Sequence, residues 1–387
     1  MTDRSYTYLD HAATTPPRPE VVQAMTACME QDYGNPSSVH TPGRQARRRL
    51  EEARRRVAAA LSTEPSAVVF VRGGTEGDNL AVLGWARRQA AKGVTPRVVT
   101  TAVEHPAVRV AAQQVAAEGG VHLVIPVDAE AGLDLDALDA ALAGGPALVS
   151  CMWVNNEVGI SLPVAQVAQQ ARAAGSACHT DAVQAVGKVP VRLDEVPVDL
   201  LTVTGHKIYG PRGTGALVAP GAGDLSPLHW GGGQERGLRP GTEDVAGAVG
   251  LATALTLAVA EQAQESERLE AIRDAVAARI KAWDPGVRVN GGALPRAPHI
   301  LSLGILDVDA DTLLATLDLA GFAASGGSAC ASGSAGPASS VQALYGPSDD
   351  LTTLRLSFGR ATRADDVDRI AQGVAAACQQ VRAHALA

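Results

Sequence analysis

A lysine between glycines follows directly after one of the predicted β-strands. The strand DLLTVT ends at Thr204, and Gly205, His206, Lys207 and Gly210 come within six residues of it. A lysine amine that can lose its proton forms Schiff bases with carbonyl compounds, and flanking glycines let such a compound approach the backbone. We therefore predict that Lys207 binds a carbonyl cofactor covalently.

Four other predicted strands end in groups of complementary chemistry. The runs AVVFV, RVVTT, ALVSCMWV and SACHT are followed by a glycine-rich stretch at 72–79, by His105, by Asn156 and by Asp181. Glycines that open a helix present backbone N–H groups to an anion such as a phosphate. These five features have no structural role in common. Together they are the groups that a site for pyridoxal phosphate (PLP) requires: an acid, an imidazole, an amide, a lysine and a phosphate loop.

Each side chain has a place around that cofactor. Asp181 supplies the anion that keeps the pyridine nitrogen protonated. Gln184, three residues further on, reaches the phenolic oxygen if the turn after Asp181 is helical. His105 stacks on the ring, and Asn156 reaches its edge. Taken singly, each of these residues is more typical of a helix cap, a turn or a solvated surface.

Cys330 differs from the other four cysteines in its surroundings. It lies in SGGSACASG, residues 325–333, where the neighbouring side chains are too small to bury it, which favours an exposed, mobile loop and a nucleophilic thiol. The other cysteines lie in apolar or helical contexts and are interpreted as buried hydrophobes: Cys28, Cys151, Cys178 and Cys378. The wide spacing and the lack of a CxxC pair predict neither a disulfide framework nor a metal site.

The predicted elements explain how these residues can meet. From about residue 45 to 220, helical stretches alternate with short β-branched runs, a pattern typical of βαβ units around a mostly parallel, buried sheet. Such sheets bind ligands beyond the carboxyl ends of their strands. From about residue 256, a long helical pattern and then mixed strands and helices indicate a smaller α+β domain. We expect the boundary to lie within a continuous helix.

Composition narrows the class of protein. The 387 residues are 46% hydrophobic, enough to fill the cores of two domains. The N-terminus lacks a signal peptide's apolar core and no apolar run approaches ~20 residues, so a cytosolic protein is expected, with no membrane partner. The formal charge of −8 argues against direct nucleic-acid binding. The arginine-rich segment Arg44–Arg56 is interpreted as a solvated helix face.

At the level of motifs, the sequence resembles the class V aminotransferase group of fold-type I PLP enzymes. Within that group it is most similar to the cysteine desulfurases of the nitrogenase-associated and iron–sulfur-cluster-assembly branch. The resemblance covers nearly the whole chain. It is carried by YLDHAATTP (8–16), GNPSSVH (34–40), GGTEGDN (73–79), EHPAV (104–108), NNEVG (155–159), HTDAVQAVGK (179–188), TGHKIYGPRGTGAL (204–217), GGGQERGLRPGT (231–242), SGGSACASG (325–333) and LRLSFGR (354–360).

The resemblance implies both a fold and a reaction. The fold would be α/β, with a large PLP-binding domain at residues 15–255 around a mostly parallel seven-stranded sheet. A smaller α+β domain would comprise residues 1–14 and 256–387. The reaction would take sulfur from L-cysteine, giving L-alanine and a persulfide on Cys330, for iron–sulfur cluster assembly or tRNA thiolation. The partners would be a second copy of the chain and a sulfur-acceptor or iron–sulfur scaffold protein.

The resemblance also implies roles for individual residues. Lys207, Asp181 and His105 would act as described above, with His105 also assisting proton transfer, while Gln184 and Asn156 would both contact the phenolic oxygen. Other residues would bind the phosphate or the substrate carboxylate. For the phosphate they are Gly74, Thr75, Thr204 and His206, with Thr242 from a second subunit, and for the carboxylate Arg355 and Asn35.

Four positions depart from the family pattern. Gly74 and Gly77 replace an alanine and a serine of the phosphate loop, and Thr204 replaces a common serine. His299 replaces a usual asparagine. Because the threonine keeps its hydroxyl and the glycines keep their backbone donors, we expect phosphate binding to survive, whereas the hydrogen bonding of His299 is left open.

Competing interpretations share part of this pattern. An aminotransferase or a selenocysteine lyase of the same group would use Lys207, Asp181 and Gln184. An aminotransferase has no use for a mobile cysteine, and the selenocysteine-favouring or accessory-activated desulfurases carry a different, shorter cysteine loop than SGGSACASG. A cofactor-binding scaffold without catalysis, or a nucleic-acid binder using the arginine-rich segment, belongs to another class. Intact Lys207, Cys330 and Arg355 argue against the scaffold, and the net negative charge argues against the nucleic-acid binder. The physiological sulfur acceptor is left open.

Overall fold

The computed structural model describes residues 6–129, 132–220, 224–326, 339–347 and 351–385. Cys330 and most of its loop lie outside these ranges. The ten helices of the described part are α1 Pro19–Gln31, α2 Thr41–Ala60, α3 Gly74–Ala91, α4 Pro106–Ala117, α5 Leu135–Leu142, α6 Val164–Ala173, α7 Val245–Trp283, α8 Ala310–Leu319, α9 Ser339–Tyr345 and α10 Val367–Ala385. The strands are β1 Thr7–Tyr8, β2 Val68–Val71, β3 Arg97–Thr101, β4 Val121–Ile125, β5 Val127–Asp128, β6 Gly132–Leu133, β7 Leu148–Ser150, β8 Ala177–Asp181, β9 Leu200–Thr204, β10 Gly215–Val218, β11 Arg288–Val289, β12 Ile300–Leu306, β13 Phe322–Ala323 and β14 Leu351–Ser357.

A seven-stranded sheet forms the centre of the first part of the chain. Its strand order is β2-β10-β9-β8-β7-β3-β4, and β10 alone runs antiparallel to its neighbours. One face packs against α2 and the start of α7, and the other against α3 and α4. Because both faces are covered, strands such as β9 are apolar or hydroxyl-bearing throughout and buried at every residue. The predicted mostly parallel seven-stranded sheet is confirmed.

A second core lies beyond the middle of α7. There the antiparallel sheet β11-β12-β14 packs with α8, α10 and the C-terminal half of α7, while β1 pairs with β13. Helix α7 thus begins in the first core and ends in the second without a break. Its composition and 39-residue length would also allow it to cross a membrane, but 56% of its most apolar stretch is buried inside the protein, as in a core helix. The exact division at residues 15 and 256 stays a prediction.

The arginine-rich segment lies on α2, whose buried stripe includes Ala46, Leu50 and Val57. Most of its arginines are at least partly exposed, in agreement with a solvated helix face, but Arg54 is not. Its guanidinium is buried, binds both carboxylate oxygens of Glu235 at 2.7 and 2.8 Å, and donates to the Val68 carbonyl at 2.8 Å. Arg54 therefore anchors the loop that contains Glu235 to the end of the central sheet.

Candidate active site

The carboxyl ends of the central strands bring the predicted residues to one edge. Asp181 ends β8, Thr204 ends β9, and Lys207 follows in a single 3-10 turn. His105 is the N-cap residue immediately before α4, and its ring lies close to Asp181. The polar atoms of Asp78, His105 and Asp181 lie within 4.8 Å of one another. The parallel topology therefore assembles groups that are far apart in the sequence.

Lys207 is held by the N-terminal segment of the chain. Its Nζ atom donates to the carbonyls of Ala12 and Ala13, both at 2.6 Å. The neighbouring glycines serve the turn itself, because a Cβ on Gly205 would lie 2.9 Å from the Pro211 carbonyl and one on Gly210 would lie 2.8 Å from the Gly205 carbonyl. The close packing of this turn therefore requires glycine at both positions.

Asp181 is a buried acid. Its Oδ1 accepts a hydrogen bond from the Val183 backbone N–H at 2.9 Å. Burial raises the pKa of its carboxyl group, while the nearby His105 and Lys207 oppose that rise. A buried carboxylate of this kind is stabilised by a cationic partner, and the protonated ring nitrogen of PLP is such a cation.

The tautomer of His105 follows from its role as a helix cap. Its Nδ1 accepts a hydrogen bond from the Ala107 N–H at 3.1 Å, so a neutral ring carries its hydrogen on Nε2. Burial lowers the pKa of the imidazole, and the charge of Asp181 opposes this effect. His105 is therefore suited to face a cofactor ring as a neutral, oriented imidazole.

Gln184 has a fixed amide orientation. Its Nε2 donates to the Ala12 carbonyl at 2.8 Å, and its Oε1 lies 3.1 Å from His299 Nε2. Because the Ala12 carbonyl can only accept, the amide nitrogen must face it, so His299 must donate from Nε2. One N–H of Gln184 remains for a ligand. His299, the departure from the family pattern, thus orients the amide predicted to reach the phenolic oxygen.

The two asparagines after β7 have different environments. Asn155 is completely buried, and its amide donates to the Val103 carbonyl and to the Ser340 hydroxyl, both at 2.9 Å. It therefore serves the packing of this loop. Asn156, the predicted ligand, is only partly buried, and its backbone carbonyl accepts a hydrogen bond from Arg355 at 2.8 Å.

The four predicted phosphate ligands line one cavity of about 800 Å³. They are Gly74, Thr75, Thr204 and His206. Helix α3 begins at this cavity after Gly73, whose φ of 140° favours glycine, and its first N–H groups and helix dipole suit an anion. Burial, with Lys207 and Arg212, lowers the pKa of His206 to about 4, so this imidazole is neutral near pH 7. The site has the size and donors that a phosphate ester requires.

Gly77, the second departure in the phosphate loop, has a packing role. A Cβ at this position would lie 2.7 Å from the Thr202 Cγ2 atom, so its absence lets α3 approach β9 closely.

Arg355 is buried and already oriented by protein groups. Its Nη2 contacts Asp10 Oδ1 at 2.8 Å and its Nη1 donates to the Asn156 carbonyl. Asp10 was not predicted, although it lies in the quoted YLDHAATTP motif. Asn35 is exposed and its Oδ1 accepts from the Ser37 N–H at 2.9 Å, and Thr242 is exposed as well. The roles of these residues in ligand binding stay predictions.

The four described cysteines are unsuited to nucleophilic chemistry. All are buried free thiols, and burial raises the pKa of each of them, to about 11 for Cys28 and Cys378. Their thiolates are therefore scarce near neutral pH. The predicted nucleophile, Cys330, lies outside the described residues.

Sequence reasoning also missed three buried groups beneath the site. Asp78, Glu104 and His179 are almost completely buried. Each lies inside a motif quoted above, next to or near a residue that was assigned. Their burial depends on how α3, β3 and β8 pack together, which a single-sequence pattern does not reveal.

Comparison with known proteins places the chain in a family. The family model described as "Aminotransferase class-V" matches residues 7–370. The "IscS-like cysteine desulfurase" of Mycobacterium tuberculosis is 42% identical, with 98% of each chain covered. A solved "NifS-like protein" superposes with a TM-score of 0.87 at 28% identity, covering 96% of this chain and 98% of the other. The solved "SspA in complex with cysteine" gives a TM-score of 0.78 at 28% identity, covering 91% and 98%.

These likenesses span the cores of both halves of the chain, so the predicted fold-type I architecture is confirmed. Enzymes of this family depend in general on PLP. By its match to the family over most of its length and by its identity to full-length relatives, the chain belongs to the class-V aminotransferases and, within them, to the cysteine desulfurases.

Proposed function

We propose that this protein removes sulfur from L-cysteine with PLP bound at Lys207, giving L-alanine and a persulfide on Cys330. The observation that carries the proposal is the convergence of Lys207, Asp181 and His105 at one sheet edge, beside the cavity where α3 begins. We further propose that a sulfur-acceptor or iron–sulfur scaffold protein takes the sulfur in the cytosol.

The residues of the chain divide the work of this reaction. PLP, when bound, withdraws electrons from the substrate's α-carbon and so acidifies its proton. The Lys207 amine, oriented by the Ala12 and Ala13 carbonyls, accepts that proton at Nζ. Asp181 would supply the negative charge that keeps the cofactor's ring nitrogen protonated. Gln184 would donate its remaining amide hydrogen to the phenolic oxygen.

Arg355 binds the substrate carboxylate. Its planar guanidinium can form two parallel hydrogen bonds, and Asp10 and the Asn156 carbonyl fix its orientation from the protein side. The Cys330 thiolate then attacks the substrate sulfur. A sulfur–sulfur bond forms, the carbon–sulfur bond breaks, and its electron pair stays on the carbon fragment, which takes up protons and leaves as alanine.

Turnover of L-cysteine tests the proposal directly. With a reductant present, the purified, PLP-loaded protein should release sulfide and alanine in equal amounts. Release of a keto acid without sulfide would instead identify an aminotransferase and would contradict the proposed reaction.

Replacement of His299 tests the orientation of Gln184. His299→Leu removes the donor to Gln184 Oε1, and a lost buried hydrogen bond of about 1 kcal/mol corresponds to a roughly fivefold fall in kcat. The visible absorption band and its pH titration should shift as well, because Gln184 is proposed to contact the chromophore. His299→Asn keeps a donor and should recover most of both properties. An unchanged titration in His299→Leu would show that His299 does not act through Gln184.

A homodimer is expected from the surface near Asn35 and Thr242. Large apolar side chains are exposed in the single chain, namely Tyr33 (77%) and Val39 (87%), within a few residues of Asn35, and Trp230 (83%), whose neighbour Gly231 lies against Pro240. A second copy could cover them and receive the Thr242 hydroxyl at its phosphate. Light scattering should give twice the chain mass of 39.6 kDa. An active, PLP-saturated monomer would refute this arrangement.

Thr242 itself can be tested within that dimer. Thr242→Val should weaken PLP affinity several-fold while leaving the measured mass unchanged, because only the hydroxyl donor is lost. Unchanged affinity would show that Thr242 does not contact the phosphate.

A further inference from the structure

Three of the buried carboxyl groups near the active site interact with one another, namely Asp78, Glu104 and Asp181, and the reaction proposed above uses only Asp181. Asp78 is 1% exposed, Glu104 4% and Asp181 5%. Asp78 lies on α3, Glu104 follows β3, and Asp181 ends β8. Buried carboxylates are stable only when cations or several hydrogen-bond donors compensate their charge, so the surroundings of each show which of them carries it.

The donors around these carboxyl groups are unequal. Glu104 Oε1 accepts from the Thr101 hydroxyl at 2.7 Å and from the Met152 N–H at 2.8 Å, although its Oε2 accepts no hydrogen bond. Asp181 accepts from a backbone N–H and faces His105 and Lys207. Asp78 has the Thr202 hydroxyl beside it, but its Oδ1 accepts no hydrogen bond. Asp78 is therefore the least compensated of the three.

The basic group next to Asp78 does not supply a positive charge. His179 Nε2 lies 3.6 Å from Asp78 Oδ1, but burial lowers the pKa of this imidazole to about 3. The His179 ring is instead held by two hydroxyls, with Ser150 at 2.8 Å from Nδ1 and Thr202 at 3.1 Å from Nε2. A neutral His179 leaves Asp78 without an ion-pair partner on β8.

Asp78 and Asp181 also repel each other if both are charged. Their polar atoms lie within 4.8 Å, and like charges at this distance in a buried site do not both ionise without a large cost. Asp181 must be the charged member when it pairs with a protonated ring nitrogen. Burial and the charge of Asp181 both raise the pKa of Asp78 well above its usual value, with the charge of Glu104 adding to them.

We infer that Asp78 is a neutral carboxylic acid in the cofactor-loaded enzyme, and that its proton keeps Asp181 the charged partner of the cofactor's ring. This inference rests on the proposed function. Asp78 acts through Asp181 and is therefore a positioning residue. If Asp78 were charged, the two carboxylates would repel each other and Asp181 would take up the proton. The ring nitrogen would then lose its negatively charged partner.

Infrared spectroscopy of the coloured, PLP-loaded protein tests this inference. The carbonyl stretch of a protonated carboxylic acid is distinct in frequency from the stretches of a carboxylate. Labelling the aspartates with ¹³C at the side-chain carboxyl carbon shifts this acid band only if the protonated group belongs to an aspartate. We expect a label-sensitive acid band that persists above the pKa of Glu104, which is about 8. The band should be lost completely in Asp78→Asn and retained in Glu104→Gln.

The matched control is Asp32→Asn. Asp32 is as buried as Asp181, but its Oδ2 pairs with Arg49 at 2.9 Å and its Oδ1 accepts from Gln45 at 3.0 Å, so the acid band should survive its removal. The labelled wild type needs no variant to fold, and a coloured protein without a label-sensitive band would overturn the inference. A band that persists in Asp78→Asn would do the same. A wild type that stays colourless with PLP would contradict the proposed function instead.

Discussion

Replacing Lys207 with alanine is expected to remove the visible absorbance of bound PLP and at least about a thousandfold of the turnover of L-cysteine. The same amine both binds the cofactor covalently and accepts the substrate proton, so one substitution removes two functions. The carbonyls of Ala12 and Ala13 that orient this amine at 2.6 Å are backbone groups and cannot replace it. Absorbance spectra and alanine formation measure the two losses separately.

Lys188 provides the matched control for that experiment. It is also buried, burial lowers the pKa of its amine to about 8, and it lies 5.1 Å from the centre of the Tyr209 ring. By chemistry alone it is the other lysine suited to forming a Schiff base. Lys188→Met should keep the visible band. Loss of the band in Lys188→Met together with its survival in Lys207→Ala would show that the cofactor is bound to the other lysine.

The convergence at the sheet edge could be predicted because it depends on local patterns. Short buried strands alternate with helices, parallel strands share one carboxyl edge, and the residue after each strand is therefore placed by topology alone. Asp181, His105 and Lys207 were found in this way. The number of strands in the sheet was predicted only from the family resemblance, because strand number and order depend on which segments pair across long separations in the sequence.

Contacts between distant segments could not be predicted in the same way. The hydrogen bond from Lys207 to Ala12 joins residues that are 195 positions apart in the sequence, and the ion pair of Arg355 with Asp10 joins residues 345 positions apart. No periodicity connects such positions. The solvated helix face was a fair interpretation of most of the arginine-rich segment, yet the burial of Arg54 depends on Glu235, which lies 181 residues away. The partners of individual side chains can therefore be identified only from the structure.

The sulfur-transfer step should be separable from the cofactor chemistry by Cys330→Ser. The variant should keep its colour, bind L-cysteine and exchange the α-proton with solvent, because Lys207, Asp181 and Arg355 are unchanged. It should form no persulfide, and alanine production should fall by at least about a thousandfold, because a serine hydroxyl is scarcely ionised near neutral pH and is a poor nucleophile toward sulfur. Mass spectrometry after incubation with L-cysteine, with alkylation and peptide mapping, locates the persulfide.

The buried cysteines make the assignment of Cys330 falsifiable. Cys28→Ala is the matched control, because the Cys28 thiol is buried on α1 and its pKa is raised to about 11, so its removal should leave persulfide formation intact. Burial raises the pKa of Cys151, Cys178 and Cys378 as well, which makes each a weak nucleophile at neutral pH. A persulfide mapped to any of these four thiols, or full alanine production by Cys330→Ser, would show that another thiol accepts the sulfur. Since the thiolate is the attacking species, a thiol that ionises only far above neutral pH cannot support rapid transfer, and the small residues around Cys330 in the sequence remain the feature that favours it.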